Sequence, residues 1–499
     1  MHSNWVGCML SRNQLCAFGL GVFLVFNVVF YNHAWAQYSQ NGQYLKKILK
    51  SFNEQCPLAK VGVLVYDLDS KKIICAHNAK ECFIPASVAK LFISAAYLDV
   101  MGPEFSFSTD VLAEGRIDDG VLYGNLILKG SGNPALRGEE LKGLAMALKE
   151  ATLKKIDGHI GVDASLFTPP GDEFFSRTEI FGDGWGSDKG AYAYMGRLSP
   201  LSIQYNNIEV RAKGGEKVGT KPDISLDPST PTVINCAKTT VSGRSRLYLN
   251  FKKDGTIVVS GRIRKNHSSI FYQKIPAPEK FVGSLFRNYI KEAGVLVKGE
   301  SIITYKKTPK EAVRIASLVS PDLPGILYSM NAYSNNTMAE EFLLILGAYI
   351  YGEPGTHAKG ISALETYLHK VGIDKSNVKL YDAAGLSKLN KVTPLAIVKL
   401  LNYVYRNSDL FKGFYLSLAS PVKDGTLFRR FRGNPLRSKI RGKTGTLRNV
   451  STLAGYGKAL NGHNIAFSIL VNDCSKTHRA KQFEDKLLLA LLVTGNVIL

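Results

Sequence analysis

The sequence predicts a mixed α/β protein in which one domain is built from both ends of the chain and a β-rich insert interrupts it. Three observations predict this. Apolar runs of strand type occur near both termini, at 61–67 and 465–471, beside helical stretches at 37–55 and 478–493. From about 105 short strands and turns take over, and helices return only from about 280. The length of 499 residues exceeds what one ordinary core holds, which asks for two or three domains.

The first 36 residues read as a secretory signal. Arg12 supplies a positive start, residues 17–31 are almost wholly apolar, and Ala34-Trp35-Ala36 fits a small-x-small cleavage site. The apolar run is short of the ~20 residues of a membrane span, so cleavage after Ala36 is expected over an uncleaved anchor. Cys16 precedes most of that run, which argues against a lipoprotein cysteine. Cleavage would leave 463 residues, with no second long apolar segment. The formal charge of +22 falls to about +21 with the loss of Arg12. Export argues against nucleic acid as the partner of that charge. An anionic envelope polymer or a peripheral membrane surface is expected instead, with the protein in the periplasm or at the cell-envelope exterior.

Five cysteines remain: Cys56, Cys75, Cys82, Cys236 and Cys474. Only Cys75 and Cys82 lie close in sequence, spaced for one local disulfide whose formation the sequence leaves open. No zinc spacing occurs, and neither a metal nor a cofactor is expected.

A hairpin is expected from strands at 61–67 and 72–77 around a turn at 68–71. Next comes Ile84-Pro85-Ala86-Ser87-Val88-Ala89-Lys90, the start of an apolar helix stopped by Gly102-Pro103. Pro85 suits a first turn and Ser87 suits a cap. Strands are expected at 108–113, 121–128, 160–163, 245–251 and 256–260, a helix at 139–152, and a Gly-, Asp- and Tyr-rich loop at 182–196. Helices follow at 281–293, 323–330, 337–351 and 395–406, with a loop at 381–387. The chain closes with strands at 439–445 and 452–457, an Asn461-Gly462 turn, the strand 465–471 and the final helix. The division expected is 1–36 signal, 37–104 with 316–499 as one peptidase domain, and 105–315 as insert, with a smaller piece nested near 200–270.

Three short motifs occur in order: Ser87-x-x-Lys90, Ser334-x-Asn336 and Lys443-Thr444-Gly445. Singly they are weak. Ser376 to Lys379 and Ser420 to Lys423 repeat the first, and Ser39 to Asn41 and Ser51 to Asn53 repeat the second. Lys-Thr-Gly occurs once, in a strand-like run. Only the first Ser-x-x-Lys opens a buried helix, and the ordered triple suits acyl transfer to serine. Ser87 would attack a carbonyl. Lys90, with its pKa lowered by burial, would take the proton. Ser334 would pass a proton to the leaving amine, and Asn336 would hold Lys90 and a substrate amide. Lys443 would stay charged and attract a carboxylate, which Thr444 and Thr446 would bind through their hydroxyls. The backbone N–H groups of Ser87 and Thr446 would form an oxyanion hole. Gly445 would let the substrate backbone approach. Lys90, as the deeper lysine, is expected to lose its proton before Lys443.

The triple, with 247 positions from Ser87 to Ser334, resembles the S13 serine peptidases, the class C low-molecular-mass penicillin-binding proteins. Lys129-Gly130-Ser131-Gly132-Asn133-Pro134, Gly161-Val162-Asp163-Ala164-Ser165-Leu166-Phe167 and residues 382–394 add to the resemblance. It implies a β-lactamase-like peptidase domain with a five-stranded antiparallel sheet flanked by helices, and two domains inserted between the first two motifs. It implies D-alanyl-D-alanine carboxypeptidase and endopeptidase activity on peptidoglycan stem peptides, and acylation of Ser87 by β-lactams. The family holds the substrate's free side-chain amine with an acidic residue of the insert, and Trp185-Gly186-Ser187-Asp188 makes Asp188 the candidate. Ala384 stands where the family usually carries serine, which puts that residue's usual hydrogen bonding in doubt. Two alternatives carry different features. A serine β-lactamase of class A would have a much shorter gap between the first two motifs and a glutamate that activates water. A catalytically weak penicillin- or cell-wall-binding protein would acylate without turnover.

Overall fold

The computed structural model describes residues 41–169 and 196–494, apart from 231, 253–254 and 306. The expected signal segment and Asp188, with nearly all of its loop, lie outside the described residues. Helix α1 (Asn41–Gln55) leads into the hairpin β1 (Lys60–Asp67) and β2 (Lys72–His77). At the far end of the chain come β3 (Ile440–Leu447), β4 (Val450–Lys458) and β5 (Asn464–Asn472). The five form one antiparallel sheet in the order β3-β4-β5-β1-β2. The chain ends therefore meet through β1 and β5, which pair residue for residue from Lys60 with Asn472 to Asp67 with Ile465.

The sheet is buried on both faces, and the strand period of two sorts its side chains. Val61, Val63 and Val65 with Ile465, Phe467 and Ile469 join a core covered by α1 and the last helix, Thr477–Thr494. Phe52 stacks on Phe483 there, with ring centroids 4.3 Å apart. Leu64, Ala466 and Leu470 face a second core made with helices. Those helices are α2 (Lys90–Met101), α3 (Leu323–Ala332), α4 (Asn336–Tyr351), α5 (His357–Lys370), α6 (Pro394–Arg406) and α7 (Ser408–Ser417), numbered within this domain. α5 and α7 are not among the helices expected from the sequence. α5 carries Gly360, Ser362 and Thr366, poor helix formers; burial of Ala363, Leu364, Tyr367 and Leu368 holds it instead.

The middle of the chain forms its own sheets around a third core. Ser108–Asp118 and Val121–Gly130 make a long hairpin in a seven-stranded sheet. Ile160–Asp163 pairs parallel to Val121–Gly130, and Val313–Val319 closes the other side of the hairpin. Two smaller sheets lie between 207 and 274. Among the described residues no helix is long and apolar enough to cross a membrane.

One point that the sequence leaves open is decided, and one local expectation needs correction. Cys75 and Cys82 are unpaired, whereas Cys56 and Cys474 are joined, with Cα atoms 5.5 Å apart across 418 positions. Cys75 is buried on β2 and Cys82 is exposed, so adjacency in sequence does not bring them together. Ser87 does not cap a helix. Ala86–Ala89 is a 3₁₀ turn ahead of α2, with Pro85 at its N-cap and no capping side chain.

Candidate active site

The 3₁₀ turn decides how Ser87 and Lys90 meet. In this geometry side chains three apart eclipse one another, and Lys90 Nζ lies 3.1 Å from Ser87 Oγ. The turn is pinned to the sheet beneath it. Asn472 on β5 accepts from the Ile84 amide at 2.8 Å and donates to the Ile84 carbonyl at 3.2 Å. Thr452 on β4 donates to the Pro85 carbonyl at 2.8 Å. Ala86 takes φ of 47°, a left-handed conformation uncommon for a residue with a side chain. Behind Lys90, Ser94 donates to the Lys90 carbonyl at 2.7 Å and meets Asn331 of α3, which reaches Ser417 of α7. The helix under the serine is thus tied to two others by a fully buried polar network.

Lys90 is fully buried and has three polar partners. Its Nζ donates to Asn336 Oδ1 at 2.7 Å and to the Ala384 carbonyl at 2.6 Å, besides facing Ser87. Asn336 opens α4, and Asn335 caps that helix by accepting from the Met338 amide at 3.1 Å. The count of hydrogens matters. A neutral amine has two N–H bonds and one lone pair. Asn336 Oδ1 and a carbonyl oxygen can only accept, so they take both hydrogens. The lone pair is then left for the direction of Ser87, whose single hydroxyl hydrogen has Ala384 O, 3.3 Å away, as its alternative acceptor. The arrangement can therefore remove a proton from Ser87. The alanine at 384 loses nothing here, because the backbone carbonyl makes both bonds.

Gly385 explains how the 382–385 loop comes so close. It has φ of 79°, and a Cβ there would fall 1.9 Å from the Ala86 carbonyl oxygen. Gly445 has a related role. A Cβ at 445 would meet Thr452 Oγ1 at 2.2 Å and Ala86 Cβ at 2.9 Å, so its bareness admits the nucleophile turn. On the same strand Lys443 is fully buried and donates to the Thr444 carbonyl at 2.8 Å. Thr444 is half-buried and Thr446 exposed. Ser334 sits half-buried in the turn between α3 and α4 with φ of 62°.

Three sequence motifs thus converge from a turn, a helix start and a sheet edge. Two acidic residues join them. Asp382 is buried and accepts from the amides of Leu386 and Ser387 and from Asn390. Glu340, on α4, accepts from the amides of Ala383 at 2.8 Å and Ala384 at 2.6 Å. Burial lowers Lys90 to about 7, with Asp382 and Glu340 pulling it back up. Burial raises Glu340 to about 8 and also raises Asp382. Burial, then the charge of Lys90, pushes Lys443 well down. The expectation that Lys90 loses its proton first because it lies deeper fails on its premise. Both lysines are fully buried, and the two carboxylates favour charge on Lys90 rather than on Lys443.

A family model described as D-Ala-D-Ala carboxypeptidase 3 (S13) matches residues 43–491. The chain belongs to that family. A D-alanyl-D-alanine carboxypeptidase of Actinomadura sp. (strain R39) is 28% identical over 431 residues, covering 82% of this chain and 77% of that protein. D-alanyl-D-alanine carboxypeptidase DacB of Haemophilus influenzae is 25% identical over 446 residues, covering 86% and 90%. In fold, the chain is similar to the crystal structure of penicillin binding protein 4 from H. influenzae, with a TM-score of 0.75 and 24% identity over 89% of this chain and 99% of that one. That protein has also been crystallised with a β-lactam. The S13 match and these neighbours agree with a mixed α/β peptidase fold around a five-stranded antiparallel sheet.

Sequence reasoning named Ser87, Lys90, Ser334, Asn336 and Lys443, and missed Glu340 and the Ala384 carbonyl. A signal for Glu340 existed. It lies one helical turn after Asn336 and, with Glu341, interrupts the otherwise apolar run 338–348. No side-chain pattern reveals a backbone carbonyl.

Proposed function

We propose that this S13 protein is a serine D-alanyl-D-alanine carboxypeptidase, with DD-endopeptidase action on the same kind of bond. One observation carries the reading: Lys90 Nζ is within hydrogen-bond reach of Asn336 Oδ1, Ala384 O and Ser87 Oγ, so its neutral form can give both N–H bonds to the first two and aim its lone pair at the serine. Ser87 Oγ attacks the penultimate D-alanine carbonyl as its proton passes to Lys90 Nζ. The tetrahedral oxyanion is met by the amides of Ser87 and Thr446. The C–N bond then breaks, and Ser334 delivers a proton to the departing amine. Water repeats the sequence on the acyl-enzyme and frees Ser87. The terminal carboxylate of the substrate binds Thr444, Thr446 and Lys443, and its negative charge offsets the burial that otherwise depresses Lys443. A β-lactam acylates Ser87 by the same attack. The family match along nearly the whole chain favours this reading over a β-lactamase.

The segment 105–315, continuing to the end of its last strand at Val319, is proposed as a substrate-shaping insert because its core is separate from those around the site. Asp188 is proposed to hold the free amine of the stem peptide. Asp188→Ala should slow cleavage of peptides with a free side-chain amine more than of acetylated ones; equal effects would remove it from the site. Export by residues 1–36 would place the enzyme with its polymer, and the excess positive charge would attract anionic envelope polymer. Digestion of purified muropeptides, read by mass, tests the whole proposal. Loss of terminal D-alanine and cleavage of cross-links are expected, and untouched muropeptides would overturn it.

A further inference from the structure

The base and its serine are positioned by a chain of contacts that runs back to a residue outside the three motifs. Ala384 supplies one of the two acceptors that orient Lys90, and its carbonyl is also the alternative acceptor for the Ser87 hydroxyl. Nothing in an alanine side chain can fix that carbonyl. The residue is held on both sides: the Gly385 amide, in the carbonyl's own peptide, donates to Asp382 Oδ1, and the amides of Ala383 and Ala384 just before it both donate to Glu340 Oε1. Glu340 is 2% exposed and lies on the helix that begins at Asn336, the second acceptor. One rigid helix thereby sets both acceptors: Asn336 directly, and Ala384 through Glu340, one turn further on.

We propose that Glu340 is a positioning residue for acylation, gripping the 383–384 backbone so that the Ala384 carbonyl takes an N–H of Lys90 and leaves the lone pair aimed at Ser87. The inference rests on the reading of Ser87 as nucleophile and Lys90 as base. Other charged groups face the same amine: Asp382 from the loop and Lys443 from β3. Asp382 accepts from the amides of Gly385, Leu386 and Ser387 and so holds the carbonyl's own peptide from the loop side, while Glu340 holds the backbone that precedes it.

Reach and charge separate cleanly in two variants. Glu340→Gln keeps the length and an acceptor oxygen but removes the charge. Glu340→Asp keeps the charge but withdraws the oxygen by one methylene. The measurement is the acylation rate of full-length protein against penicillin concentration, on variants whose thermal unfolding shows them folded. Positioning predicts that Glu340→Gln acylates within about threefold of the parent. It predicts that Glu340→Asp is slower by ~10–100-fold at saturation with half-saturation unchanged, as for a reacting group displaced by about an ångström. Glu340→Asp at the parent rate overturns the proposal, as does Glu340→Gln falling as far as Glu340→Asp, which would make the charge the active quantity. Hydrogen exchange at Ala383 and Ala384 in Glu340→Gln gives a readout that needs only the conservative variant. Protection like the parent's supports the grip, and lost protection with full acylation overturns it. If the parent itself takes no penicillin, the functional reading fails; if it does and the variants match it, only this inference fails.

Discussion

Two buried aspartates, one in each part of the molecule, show how the insert and the site use the same residue type differently. Asp163 ends a strand of the seven-stranded sheet and is 1% exposed. Burial pushes it up, yet hydrogen bonds from Thr308 and Ser165 leave it below its ordinary value. Asp382 is equally buried and accepts from Ser387, Asn390 and Leu386, yet it stays raised. The difference lies in desolvation. Burial outweighs the donors to Asp382 and the charge of Lys90, all of which pull it down, whereas the hydroxyl and amide donors to Asp163 outweigh its burial. A carboxylate settled in this way is structural, and one kept among titratable neighbours belongs to chemistry.

The largest effect that would break this contrast is at the nucleophile. Ser87→Ala should abolish covalent labelling by penicillin while the melting temperature stays near the parent's. Peptide mapping of labelled parent should find the adduct on the peptide containing Ser87. An adduct on Ser376 or Ser420 would place the chemistry elsewhere.

The two lysines sharpen the comparison next. Lys90→Arg should abolish acylation, since guanidinium stays protonated and cannot accept the serine proton. Lys443→Arg should retain measurable acylation, because charge is kept while geometry changes. The reverse result would exchange the two roles. The neutral fraction of Lys90 grows as pH rises through about 7, so acylation should climb on a limb near that pH. A rate flat between pH 6 and 8, roughly the window around that value, would sever Lys90 from the base role.

The smallest effect is expected on the insert side. Asp163→Ala leaves the Thr308 and Ser165 donors unpaired and should cost ~1–3 kcal/mol of stability, read by denaturant unfolding. Acylation by the folded variant should match the parent. The sign with pH also follows. The folded value of Asp163 lies below the unfolded one, so its contribution is full above the unfolded value and is lost as pH falls through the folded one. Parent and variant should therefore converge in acid. A slower acylation in Asp163→Ala would tie the insert's sheet to the site and dissolve the contrast.

The sequence by itself determined the motif residues, because Ser87, Lys90, Ser334, Asn336 and Lys443 act through side chains and their spacing is local. It also determined the sheet's strands, since continuous apolar runs such as 61–65 and 465–471 are written residue by residue. The entry of both ends into one sheet was legible in the same way, from matching patterns at both termini. Only the tertiary structure decided the rest. The join of Cys56 to Cys474 spans 418 positions and depends on β1 and β5 lying side by side. The 3₁₀ turn at Ser87 is imposed by contacts from Asn472 and Thr452, which come from strands remote in the chain. The grip on Lys90 runs through a backbone carbonyl, and every residue type has one of those. Which carbonyl matters is fixed by a loop packed against a turn with no Cβ between them, a condition of space rather than of residue chemistry.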